Sequence, residues 1–84
     1  VVLITVDAVA IAEIGSIPNS YLAEGRSRLH RELDVSPTNI IVNASHCHGS
    51  VCFDITERTV RTVLDAWRSM VPVRVGAGAG YEDR

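Results

Sequence analysis

Ile40-Ile41-Val42-Asn43-Ala44-Ser45-His46-Cys47-His48-Gly49 sets a β-branched apolar run directly before two histidines one residue apart. The apolar part reads as a strand from Asn39 or Ile40 to Ala44, and the polar part as the loop at its carboxyl end. If the chain stays extended through His48, both imidazoles point the same way from Cα atoms about 6.6 Å apart, close enough to share one ion or substrate group. If it turns at Ser45, one histidine can ligate while the other stands beside the site. Neutral imidazole is the commonest protein metal ligand, and its ordinary pKa of about 6.5 suits proton transfer near neutrality. A blander arrangement has one histidine bonded to a backbone carbonyl and the other in solvent. The residues around the pair decide between them.

Upstream, Val1 to Val6 is a continuous β-branched run, the pattern of a parallel strand buried on both faces, and it ends on Asp7. A carboxylate there either bonds nearby backbone amides or supports a catalytic or metal-binding histidine. Ala8 to Ile17 is apolar without helical period, and Gly15 and Pro18 interrupt it, so it reads as a loop with a greasy face. Asn19 or Ser20 can cap a helix carrying Glu24 in its first turn. Tyr21, Leu22, Leu29 and Leu33 form its apolar face, Arg26, Arg28, Arg31 and Glu32 its wet one. Gly25 weakens it, His30 lies in its charged segment, and Asp34 to Pro37 ends it.

Downstream, Asp54 or Thr56 opens a second helix with Val60, Val63, Leu64, Trp67 and Val71 as its core stripe. Pro72 closes it, and Val73 to Val75 predicts a third strand running into Gly76-Ala77-Gly78-Ala79-Gly80. That bend fails the Gly-X-Gly-X-X-Gly spacing and no helix follows, so it reads as flexible backbone approaching something closely rather than as a phosphate cradle. The fold class is therefore α/β: β-α-β-α-β with a mostly parallel sheet, part of a larger α/β domain. Residues 1–84 read as one incomplete segment of that domain, since neither end looks finished.

Composition narrows the partners. With eight Lys plus Arg spread along 84 residues and a net charge of −2, the chain has no basic stripe for nucleic acid. No run approaches the about 18 apolar residues that span a bilayer. Cys47 and Cys52 make no disulfide framework. In an extended chain Cys47 points into the core, and one zinc site built from His46, Cys47, His48 and Cys52 is disfavoured by its spacing. Asn43-Ala44-Ser45 matches the N-glycosylation pattern, but at the mouth of a buried strand it is expected to stay unmodified. In open α/β sheets ligands sit beyond the carboxyl ends of the strands. Asp7, the Ser45–Gly49 loop and the Gly76–Gly80 bend all fall at that edge, which favours a functional site.

Leu3-Ile4-Thr5-Val6-Asp7, the later Asn39-Ile40-Ile41-Val42-Asn43-Ala44-Ser45-His46-Cys47-His48-Gly49 and the strand-to-glycine ending together resemble the N-terminal domain of the neutral/alkaline non-lysosomal ceramidases. The resemblance covers most of this chain and a small part of such an enzyme. It implies a zinc cofactor with His46 as metal ligand, and His48 and Asp7 as catalytic residues. It also implies that a histidine, a glutamate and a tyrosine from the remainder of the parent chain complete the site; Tyr81 is not that tyrosine. The implied reaction is hydrolysis of an N-acyl amide, of a ceramide-like lipid or another such substrate. Gly49-Ser50-Val51 and Cys47 depart from the family's Thr-His-Thr-His-Ser-Gly-Pro, which bears on the substrate. A different His-X-His metallohydrolase and a non-catalytic α/β module are the alternatives.

Overall fold

The computed structural model describes residues 1–83. Strand β1 (Val2–Val6) pairs in parallel with β2 (Ile40–Ala44), in a register that sets Val2 opposite Ile40 and Val6 opposite Ala44. Helix α1 (Tyr21–Leu33) makes the crossover between them, and helix α2 (Ile55–Arg68) follows β2. The result is a small mixed α/β unit with a two-stranded parallel sheet.

Both helices pack on one face of the sheet. Leu29, Val35, Ile40, Val60 and Val63 form one buried cluster, and Val6, Ala8, Ile17 and Tyr21 form another. Ile4 and Val42, directly opposite in the ladder, pack against both. The helices are also tied by a buried hydrogen bond of 2.7 Å between the hydroxyls of Tyr21 and Thr59. At the start of α1, Ser20 makes no side-chain cap bond, and the Asn19 carboxamide instead accepts the Glu13 N–H at 2.9 Å. At its end Asp34 takes a left-handed φ of 56°, a conformation that short polar side chains tolerate. The His30 ring N–H then donates to the Val35 carbonyl at 3.1 Å. Asp54 sits at the N-cap of α2 without a cap bond because its carboxylate is held by Arg58 at 2.9 Å.

Several expectations change. Only one face of the sheet is covered, so Val1, Leu3 and Ile41 are exposed and the run Val1–Val6 is not buried on both sides. Asn43 lies on that bare face, exposed, with its side-chain oxygen accepting from Thr5 at 2.9 Å, so burial does not shield the glycosylation motif. Arg26 is half-buried and donates to the Ile40 carbonyl at 3.2 Å instead of facing water. The core stripe of α2 stops at Leu64: Trp67 is 37 % exposed, and Val71, at 70 %, lies past the helix end.

The segment Val73–Val75 forms no ladder. Helix α2 borders the free edge of β1, on the same face as α1. Two successive crossovers with their helices on one face, running in opposite directions across the sheet, have opposite hands. Parallel units are almost all right-handed, so a parallel strand delivered by α2 to that edge would break the rule.

Gly25 is buried in α1, and an added Cβ there would meet nothing within 4 Å. Gly25→Ala is expected to raise stability by about 1 kcal/mol by removing the glycine helix penalty, read as a higher urea midpoint at constant m. Burial raises the Tyr21 phenol above its ordinary 10.0, against the lowering effect of the Thr59 hydrogen bond. Its stabilising contribution is therefore complete below the unfolded pKa and is lost as pH climbs through the raised folded value. Urea titrations across the alkaline range should show a shallower loss of stability for Tyr21→Phe than for the parent.

Candidate functional site

The two strands end together. The Val6 carbonyl accepts the Ser45 N–H and the Ala8 N–H, each at 2.9 Å, so the ladder closes at the point where the chain reverses around Asp7. Beyond Ala44 the chain turns: His46 adopts φ 66°, the left-handed region that costs a non-glycine residue about 1–2 kcal/mol. Strain of this kind concentrates at functional sites. Its local consequence is that the His46 ring meets the loop after β1, with Nδ1 2.8 Å from the Val9 carbonyl.

A carbonyl oxygen can only accept, so Nδ1 carries the proton, and in the neutral ring the lone pair lies on Nε2. This is how metal-ligating histidines are set: one ring nitrogen bonded to a backbone carbonyl or carboxylate, the other left to coordinate. The His48 ring stands edge-on to it, centroids 4.8 Å apart at 88°. Both rings are exposed. The chain thus turns, at His46 rather than at Ser45, and leaves the two imidazoles side by side.

The turn also moves Cys47. Once His46 leaves the extended geometry, strand alternation ends, and Cys47 is exposed rather than in the core; Cys52 is exposed too. The acceptor that orients His46 is the Val9 carbonyl and not the Asp7 carboxylate. Asp7 is exposed at the adjoining turn and borders a groove along the free edge of β1. His30 is engaged at the far end of α1. The glycine-rich bend does not join the site as a close approach, since nothing lies within 4 Å of a Cβ built on Gly76, Gly78 or Gly80.

Among the described residues no group of three or more His, Cys, Asp and Glu side chains is arranged to hold a metal ion. The residues present therefore fit one ligand position of a metal centre, not a whole one. Sequence reasoning missed Val9, because a backbone carbonyl leaves no mark in composition, and undervalued Gly15. Gly15 has φ +88°, and a Cβ on it would come 2.7 Å from Val9 Cγ1. It is the residue that lets the loop fold back onto Val9. No family model, curated protein or solved structure matches this chain.

Nitrogen NMR of the neutral imidazoles should show His46 as the Nδ1–H tautomer. Gly15→Ala is expected to shift it toward the Nε2–H form, at a stability cost of about 1–3 kcal/mol. An unchanged His46 spectrum in a folded Gly15→Ala protein would remove Gly15 from the support of the site.

Proposed function

We propose that this chain is the N-terminal piece of a zinc-dependent hydrolase of neutral ceramidase type that cleaves the N-acyl amide bond of a ceramide-like lipid. In this reading Val73–Val75 is the third strand of a larger, mostly parallel β-α-β-α-β sheet. The single observation that carries the functional reading is the hydrogen bond from His46 Nδ1 to the Val9 carbonyl, which leaves Nε2 as a preset donor.

His46 Nε2 is the one zinc ligand this segment supplies, and the remaining ligands come from elsewhere in the parent chain. Bound zinc supplies Lewis-acid polarisation of the amide carbonyl and acidifies a water to near neutrality. The residues of this chain do the rest. Val9 holds the His46 ring against rotation. His48, next to His46 and open to solvent, hands a proton to the departing amine nitrogen. Asp7, at the turn that closes the ladder, accepts a hydrogen bond from that amine as it leaves.

A non-catalytic module would keep the Val9 bond but have no use for a free Nε2, so metal content separates the two readings. In the longest natural chain containing this segment, about one zinc per chain is expected. His46→Ala should lose both the metal and hydrolysis of an N-acyl sphingoid amide. His48→Gln should keep the metal and lower kcat by about 10²-fold or more. Full zinc occupancy with unchanged hydrolysis in His46→Ala would overturn the ligand assignment.

A further inference from the structure

The two edges of the sheet differ. Beside β2 the Arg26 guanidinium closes over the edge, donating to the Ile40 carbonyl at 3.2 Å. Along the free edge of β1, the strand and helix α2 enclose a groove of about 330 Å³, with Val2, Ile4, Val6, Ile55, Val63 and Ala66 in its apolar lining. That volume and that lining suit a small apolar ligand. The groove follows β1 for about 13 Å from Val2 to Val6 at the ordinary rise of a strand, the length of an extended decyl chain. Handedness keeps a parallel strand delivered by α2 away from it.

Two charged side chains stand in the lining, and they are not equivalent. Arg58 is already matched: its guanidinium donates to the Asp54 carboxylate at 2.9 Å, and Asp54 also meets the positive N-terminal end of α2. Asp7 is exposed and makes no ion pair among the described residues. The groove therefore keeps an uncompensated negative charge at the carboxyl end of β1, the end where the His46 loop lies. A ligand complementary to both features has an apolar chain that ends in a cation. A fatty carboxylate of the same length meets repulsion at Asp7 instead.

We propose that this groove binds long-chain primary ammonium ions, with the chain along β1 and the nitrogen at Asp7. The identity of the natural ligand rests on the functional reading given above: the groove holds the amine half of the amide substrate and leaves the acyl half outside it. The site itself does not depend on zinc.

Titration of the full chain with decylammonium in EDTA, followed through assigned methyl resonances, tests it. Saturable shifts are expected at Val2, Ile4, Ile55 and Val63, with decanoate binding about tenfold more weakly because attraction at Asp7 becomes repulsion. Asp7→Asn should bring the two dissociation constants together. Ala66→Phe, which fills the groove from an exposed position on α2, should weaken both ligands with unchanged far-UV circular dichroism. Equal affinity for decanoate in the parent, or a preference that survives Asp7→Asn, would overturn the proposal. So would shifts centred on Leu3 and Ile41, which would put the chain on the bare face of the sheet, or no binding below the micelle-forming concentration. His46→Ala should lose hydrolysis and keep its decylammonium affinity, so the zinc reading and this one fail separately.

Discussion

The parallel pairing of β1 with β2 is the contact on which the other features rest. Parallel neighbours cannot be joined by a tight turn, so their pairing needs the chain from Asp7 to Asn39 to cross over and return. That crossover is stabilised only if its helix buries an apolar face on the sheet. Ile4 and Val42, facing each other across the ladder, touch both buried clusters and so join the packing of α1 to that of α2. A one-residue slip of either strand would send its own member of the pair to the bare face and open both clusters.

The site inherits its geometry from this pairing. Val6 ends the ladder by accepting from both Ser45 and Ala8, which places the loop after β1 alongside the loop after β2. Only then can the Val9 carbonyl meet the His46 ring, and only with His46 in the left-handed region. The charged pairs play no part in it. Arg28 with Glu57 and Arg58 with Asp54 lie on the helix surfaces, where such pairs contribute little net stability. Arg28 depresses the Glu57 carboxyl and Arg58 that of Asp54, effects confined to the helices.

Much of this was legible in the residues. Two helices, two strands, the loop between β1 and α1 and the histidines at a strand end all follow from periodicity and turn chemistry. What misled were features whose meaning depends on a neighbour. The continuous apolar run Val1–Val6 implied two covered faces, but only one layer of helices packs on the sheet. Trp67 kept the helical spacing of a core residue, yet by the last turn of α2 there is no opposing surface to bury it. Cys47 was placed by strand alternation, which ended at His46.

Sequence by itself determined the period of each element, the positions where the chain must bend and the types of chemistry available at the bends, because these depend on local backbone and side-chain properties. Tertiary structure alone decided that both helices share one face, that Arg26 guards one edge while β1 stays open, and that a backbone oxygen from Val9 selects the His46 tautomer. Those outcomes arise from contacts between residues that are distant along the chain, 37 positions apart in the last case, and a carbonyl is the same in every residue until folding aims it.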